Sequence, residues 1–494
     1  MLTACCVIGC VGVAILGSLG FLAFVAVAVI GQLGQDAASH SDDGNEPGKS
    51  AAVRPGPRPG PITATKLTED HVTLPLAGKV EAVGRGGNGR FLLLKVGGQI
   101  QVFDSNEGAF APSFAFEPPD ADFLFAASAA KLFVYRQGKL ERYNLLDRAF
   151  EKSVPWLTRP VALVIGPRAD GPLFVLNAAR SETEVTGVDP EALTALGSST
   201  VVRLARPDRP GPRVSADGRL IGLGLDPTQA LGADPRGVLI HYPPGNPATV
   251  TPFGPPGGTG PYGHVAPAPD GRFVYTPKGV FDTNGSLLLS DSVTGYFYAL
   301  PPAHGGDFFL SLEAPNPRSV PKKGVRAGRD IERGVRLHLA GVLTPLTSLP
   351  DLGPVGMTTF DTEQVPADLR VHFWPAAGLL AVLTTDSQLD LYRLDVPEIL
   401  RNSGQSHLIF GSDPPTAATR RQVYTYTPEV WSNRTGPQPT LKVVFPPTMS
   451  VNAARQLVWP VPADAPAEVE VHLQVTDAGG RTADQKFRVV VTDP

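Results

Sequence analysis

The sequence predicts an all-β protein: a β-propeller of about seven blades followed by a small β-sandwich, behind one N-terminal transmembrane helix. Three observations predict it. Gly (53) and Pro (51) together make up about a fifth of the 494 residues, above the average of roughly 12% yet short of a low-complexity chain. Turns are therefore frequent and strands short. A hairpin theme recurs from Leu67 to Asn402, and a denser run of strands fills Gln405 to Pro494. The stretch Ala4 to Gly31 has no ionisable side chain other than its cysteines.

In chain order, residues 4–31 come first. At 1.5 Å per residue this stretch is long enough to cross a hydrocarbon core of about 30 Å. A secretory signal peptide is the alternative, but its apolar core is usually roughly 7 to 15 residues behind a charged start. Here the chain starts Met1-Leu2-Thr3. Val7-Ile8-Gly9-Cys10 looks like a bacterial lipobox, although the apolar run continues past Cys10. Cleavage and lipidation both stay open. Asp36, Asp42, Asp43 and Glu46 precede the first basic residue, Lys49. Because Lys and Arg favour the cytoplasmic flank, the N-terminus is expected inside. The expected location is a single-pass inner (cytoplasmic) membrane, with the globular part extracytoplasmic. Cys5, Cys6 and Cys10 are the only cysteines, so the exported part has no disulfide, thiolate zinc site or cysteine nucleophile.

Residues 32–66 read as a Pro/Gly-rich linker. Five Pro and three Gly fall between Pro47 and Pro61, which stiffens the segment into polyproline-like runs.

Residues 67–402 read as the propeller. The clearest copies of the hairpin theme are Gly87-Asn88-Gly89-Arg90 before Phe91-Leu92-Leu93-Leu94, Ala216-Asp217-Gly218-Arg219 before Leu220-Ile221-Gly222-Leu223, and Pro269-Asp270-Gly271-Arg272 before Phe273-Val274-Tyr275. Weaker copies begin at Lys131, Pro172 and Gly378. Continuous apolar strands suit the inner positions of radial blades, and alternating ones suit the outer positions. No window in this region carries a convincing helical period, which excludes an α/β fold. At roughly 45 residues per blade the span gives about seven, with six or eight as alternatives.

Residues 405–494 hold six or seven strands, among them Val469-Glu470-Val471-His472-Leu473-Gln474-Val475, whose alternation marks a half-buried strand. The turn Thr476-Asp477-Ala478-Gly479-Gly480 suits a hairpin with positive φ at Gly.

A family resemblance rests on these residues. Tyr424-Thr425-Tyr426, Pro447-Thr448-Met449-Ser450-Val451-Asn452, Trp459-Pro460-Val461-Pro462-Ala463-Asp464 and Val475-Thr476-Asp477-Ala478-Gly479-Gly480 resemble the immunoglobulin-like domain of bacterial surface proteins. The upstream hairpins, with Leu394-Asp395-Val396-Pro397-Glu398-Ile399-Leu400 at the junction, look like the WD40-type propellers that precede such a domain in planctomycete membrane-anchored proteins. The resemblance covers about 430 residues and implies a scaffold with an Ig-like C-terminal domain. It departs from the strict WD40 pattern in having no Trp-Asp dipeptide and no Gly-His signature in these hairpins.

Motifs that could carry chemistry are few. Gly84-Arg85-Gly86-Gly87-Asn88-Gly89 fits G-x-G-x-x-G, but a strand rather than a helix follows it, so it reads as a turn. The nine histidines are scattered, with no H-E-x-x-H; His264, His304 and His372 are structural unless three blades bring them together at the propeller axis. Asp104-Ser105-Asn106 and Asp282-Thr283-Asn284 lack the bidentate Glu of a calcium loop and read as Asx turns. Ser319-Val320-Pro321-Lys322 has the S-x-x-K spacing, but Pro321 breaks the helix that chemistry needs. Arg318, Lys322, Lys323, Arg326, Arg329, Arg333 and Arg336, set against Asp330 and Glu332, form the candidate partner-binding loop; a solvated inter-strand loop is the plainer reading.

With 18% charged residues and a formal net charge of -4, no field drives binding to nucleic acid. The expected function is a membrane-anchored extracytoplasmic interaction module, binding an unknown protein or cell-envelope polymer through propeller loops. It is expected to be no enzyme and to need no cofactor or metal. A lactonase-like propeller enzyme with an axial metal and a passive spacer are the alternatives.

Overall fold

Runs such as Phe91-Leu92-Leu93-Leu94, too short and too apolar for a surface helix, satisfy their backbone groups by pairing on both sides. In the computed structural model, residues 57–120, 122–179, 182–197, 199–202, 211–224, 237–243, 248–252, 263–290, 299–312, 335–349, 365–434 and 436–494 are described. The transmembrane expectation for 4–31, the first part of the linker and Arg318–Arg333 lie outside them. Among the described residues no helix is long and apolar enough to cross a membrane.

Between His71 and Arg393 the described strands form a succession of antiparallel sheets. The first comprises Val80–Gly86, Phe91–Val96, Gln99–Asp104 and Ala109–Ala115. The second runs from Leu124 to Pro155, the third from Ala162 to Val202, the fourth from Arg213 to Pro252 and the fifth from Ala266 to Leu289, each with four strands in sequential order. The sixth has three strands, Phe308–Leu312, Val335–Leu339 and Thr347–Leu349, with bridges from Ala299 and Pro302 on its inner side. The last sheet takes Val371–Trp374, Leu379–Thr385 and Gln388–Arg393 from the end of the region and His71–Pro75 from its beginning. His71–Pro75 pairs antiparallel along Tyr392–Gln388, so the two ends of the region share one sheet.

Apolar clusters fill the seams between consecutive sheets. Phe91, Leu93 and Phe114 meet Leu132 and Val134 between the first and second, and Phe174, Leu176 and Val185 meet Ile221, Leu223 and Ile240 between the third and fourth. Phe308, Leu310 and Leu337 meet Val371, Phe373 and Leu380 between the sixth and last. Leu92, Leu94 and Phe103 meet Leu379, Leu389 and Leu391, sealing the last sheet to the first. At about 1.5–3 kcal/mol per fully buried large side chain, these seams hold the sheets in a closed ring, the arrangement of a β-propeller. Glycine permits the closest approaches: a Cβ on Gly86 would stand 2.6 Å from that of Ala127, and one on Gly222 would stand 2.1 Å from the Val265 carbonyl oxygen.

Two features extend the sequence reading. Pro57–Lys66, read above as the end of the linker, packs on the propeller: Ile62 is buried in the seam between the last and first sheets, Asn106 Nδ2 donates to the Pro61 carbonyl (3.0 Å) and Asn88 Nδ2 to that of Pro59 (3.2 Å). The one α-helix among the described residues is Val396–Asn402, capped by Asp395 Oδ1 accepting from Glu398 N at 2.9 Å. It buries Val396 and Leu400 under the last seam.

Beyond it, one sheet pairs Ala417–Thr419, Thr482–Thr492, Glu468–Thr476 and Thr440–Phe445, and another pairs Val423–Tyr426, Leu457–Pro460 and Ser450–Val451. They share a core of Tyr424, Tyr426, Leu457, Trp459, Val471, Leu473 and Val489. Val469, Val471, Leu473 and Val475 are all buried, as their alternation requires. Gly480 has φ 79°, and Asp477 Oδ1 accepts from Gly479 N and Arg481 N.

Candidate axial site

The recurring Gly turn has one structural position: it joins the innermost strand of a sheet to the second. Asn88-Gly89-Arg90, Asp217-Gly218-Arg219 and Asp270-Gly271-Arg272 are equivalent, with φ of 87°, 75° and 72° at the glycines. In the latter two the Asp Oδ1 accepts from the Arg backbone N–H at 3.0 Å. The left-handed conformation favours Gly there. Gly84 and Gly86 lie in the strand before such a turn, packed on Phe125 and Ala127; the G-x-G-x-x-G string is therefore inter-sheet packing and a turn.

These inner strands and turns bring polar side chains from six sheets to the ring centre. Arg213, on the inner strand of the fourth sheet, forms a bidentate pair with Asp368 at the entry to the last (2.6 and 2.8 Å). Both are buried. Burial pushes the Asp368 carboxyl up, but the Arg213 charge and hydrogen bonds, with His264, hold it at about 2. His264 Nδ1 lies 3.9 Å from Asp368 Oδ1, and burial lowers its pKa despite that carboxylate. His304 stacks on Trp374 (centroids 4.4 Å apart, 21°) and lies 6.0 Å from the His372 ring. Trp374 Nε1 donates to the Gly89 carbonyl (2.8 Å) and His372 Nε2 to that of Leu369 (2.8 Å). Burial, then the Arg85 charge, lower both histidines, His372 to about 3 and His304 well below its ordinary value. Burial thus favours the uncharged form of all three rings.

Arg85 completes the cluster. It keeps some accessible area where it lines the channel, yet protein surrounds it, and burial followed by the Arg213 charge lowers its pKa to about 10, with Asp368 opposing. A small pocket at this point is lined by Arg85, Pro167, Arg168, Ala216, Pro269 and His304, among others.

One mouth of the ring is covered. Arg168 Nη2 pairs with Asp413 Oδ2 (2.9 Å) while its Nε donates to the Asn88 carbonyl (3.2 Å). Asn88 Nδ2 donates to Thr416 Oγ1 at 3.0 Å. The segment leading into the C-terminal sandwich is thus fastened over the inner turns. Beside it lies a cleft of about 420 Å³ between sandwich and ring, whose charges are mostly paired: Arg58 with Asp170 (3.0 Å), Arg219 with Glu470 (3.3 Å), and Arg488 with Glu468 and Glu470 (3.5 Å each).

Of the sequence-derived candidates, His264, His304 and His372 do reach the axis, but in two separate settings, and no group of three or more His, Cys, Asp or Glu among the described residues could hold a metal ion. Asp282 Oδ1 accepts from Asn284 N (2.9 Å) and Ser286 N (2.8 Å), an Asx turn, and Asp104 is engaged by Arg90 at 2.7 and 2.6 Å. Of the basic stretch, Arg336 is described: it sits on Val335–Leu339, opposite Ser311 and Ser348, while Arg318, Lys322, Lys323, Arg326, Arg329 and Arg333 lie outside the described residues. Sequence reasoning missed Arg85, Arg213 and Asp368. The available signal was Arg85 between two glycines, whose missing Cβ atoms let Phe125 and Ala127 pack against the strand.

The chain matches no protein-family model and no curated protein. Its fold is similar, at 12% identity in each case, to a chain in the mitotic checkpoint complex (TM-score 0.41, covering 73% of this chain and 99% of that one). It is also similar to the Cps50 (Swd1) β-propeller domain of Myceliophteria thermophila (0.41; 65% and 98%) and to Kuenenia stuttgartiensis hydrazine synthase (0.31; 64% and 76%).

Proposed function

We propose that the protein is a membrane-tethered, non-enzymatic interaction scaffold: a seven-bladed WD40-like propeller and an Ig-like domain held outside the cytoplasmic membrane by residues 4–31, presenting loops to another protein or a cell-envelope polymer. The observation that carries this reading is the filled axis. A propeller that processes a substrate at its centre needs a funnel leading to reactive groups. Here the centre is occupied by the Arg213–Asp368 pair and the His304–Trp374 stack, and one mouth is covered through Arg168–Asp413. Recognition then falls to the loops, which rigid sheets hold in fixed positions. Each sheet described above is read as one blade, supported by a separate apolar seam on either side of it. The unbroken apolar run of residues 4–31 supports the tether, and the basic stretch Arg318–Arg336 supplies the positive surface for an acidic partner.

The test is affinity capture from solubilised envelopes with the full-length protein and with a variant carrying Lys322→Glu, Lys323→Glu and Arg326→Glu. A stoichiometric partner held by the wild type and released by the variant supports the proposal. Equal retention by both removes the basic stretch from it, and a turnover activity retained by the variant overturns the non-enzymatic reading.

A further inference from the structure

The axial cluster has an imbalance of charge. Three guanidinium groups, Arg85, Arg168 and Arg213, approach one another closely enough that each of the other two lowers the Arg85 pKa. Two carboxylates answer them, and both are taken: Asp368 bidentately by Arg213, Asp413 by Arg168. Arg85 makes no hydrogen bond or ion pair with any described residue, although five N–H donors must be satisfied somewhere. Arg85 keeps some accessible area, yet a guanidinium largely enclosed by protein and without a carboxylate of its own is unfavourable.

A second observation points to the same place. His304 is 6% exposed, and its Nε2 is buried without a hydrogen-bond partner. Both side chains line the same small pocket at the ring centre. Its free space of about 10 Å³ is close to what a single water-sized occupant needs. Gly89, Pro167, Arg168, Ala216, Pro269 and Gly305 form the rest of its wall and offer an anion no repulsive carboxylate.

We infer that the axial pocket beside Arg85 is a binding site for a small monovalent anion of halide size, which neutralises the one guanidinium of the cluster that has no carboxylate of its own. Arg85 donates its N–H groups to the anion, and the His304 ring closes the facing wall. Because Arg85 belongs to the first sheet, Arg168 to the third and His304 to the sixth, the anion ties distant parts of the ring together. Its effect is on ring stability rather than on recognition, so it stands apart from the scaffold proposal.

The probe is chloride or bromide added to the full-length protein after exchange into gluconate at constant ionic strength. The thermal midpoint rises saturably with halide in the wild type, and ³⁵Cl line broadening by the protein falls at least tenfold in Arg85→Met. That variant replaces the charge with an apolar side chain of similar length, and its midpoint no longer responds to halide. Bromide-soaked crystals of the wild type provide the check that needs no variant: an anomalous peak within hydrogen-bond reach of the Arg85 guanidinium is expected. A midpoint indifferent to halide, an equal response in Arg85→Met, or an anomalous map with no peak beside Arg85, leaving water as the occupant, overturns the inference.

Discussion

Replacing Asp368 with Asn removes the carboxylate that Arg213 grips bidentately at the ring centre, and its outcome follows from the geometry. The pair is bidentate at 2.6 and 2.8 Å, and its side chains are only 8% and 3% exposed. Breaking such a pair from one side costs about 3–5 kcal/mol. The carboxyl itself gives an independent figure. A pKa lowered from 3.8 to about 2 corresponds to about 2–3 kcal/mol of stability at neutral pH, since one unit is about 1.4 kcal/mol. Because the folded pKa lies below the unfolded one, this stability is complete above about pH 4 and is lost as pH falls through 2. With an unfolding entropy of about 2 cal/mol/K per residue over a ring of roughly 320 residues, 3–5 kcal/mol lowers the thermal midpoint by about 5–8 °C. The assay is calorimetry of the full-length protein at pH 7 and down to pH 2. Asp368→Asn melts lower at pH 7 and loses less than the wild type on acidification. Adding Arg213→Met to an Asp368→Leu background recovers most of the loss, because an apolar pair of similar volume removes both charges together. A shift below about 1 °C at pH 7, or parallel acid profiles for wild type and variant, would refute the reasoning.

Four further outcomes follow from the same structure. Gly222→Ala sets a Cβ at 2.1 Å from the Val265 carbonyl oxygen, forcing apart the seam between the fourth and fifth sheets at a cost of about 1–3 kcal/mol, read as a lower thermal midpoint. Trp374→Phe removes the donor to the Gly89 carbonyl and costs about 1–3 kcal/mol, seen as faster amide exchange at Gly89 and Arg90. Arg168→Met leaves Asp413, whose pKa burial already raises, without its cation, and limited proteolysis is expected to cut near Ser412–Thr416 at lower protease concentration than in the wild type. Deleting residues 57–75 strips the outer strand from Gln388–Arg393 and exposes its edge, and light scattering is expected to show aggregation where the intact chain stays dispersed.

Much of the ring was legible because its signals are local. Phe91-Leu92-Leu93-Leu94 and Leu220-Ile221-Gly222-Leu223 are both second strands after an inner turn, and the Asn-Gly-Arg and Asp-Gly-Arg turns that announce them keep their φ > 0 glycines. The Glu468–Thr476 strand shows its buried face in its alternation. Pairing between chain ends is a different kind of fact. His71-Val72-Thr73-Leu74-Pro75 alternates like any edge strand, and nothing in those residues says that the partner is Tyr392–Gln388, more than 300 positions away. The same limit hid the ordered end of the linker: Pro59 and Pro61 are stiff by composition, but their carbonyls accept from Asn88 and Asn106, and that docking depends on turns the linker does not encode.

The axial cluster shows why a site on a ring resists sequence reading most. Six sheets contribute polar residues from or near their inner strand or first turn, so Arg85, Arg213, His264, His304 and Asp368 are separated along the chain by tens of residues. Motif searches look for spacing along the chain, whereas here the only constant is place within the repeat. Once the repeat is aligned on its Asn/Asp-Gly-Arg turn, Arg85 stands three residues before Asn88 and Arg213 four residues before Asp217, close to the same height on the inner strands of the first and fourth sheets. A charged residue at that height in a repeat is buried at the axis whatever its local sequence looks like. Unpaired charge there is then the feature to search for, and Arg85 carries it.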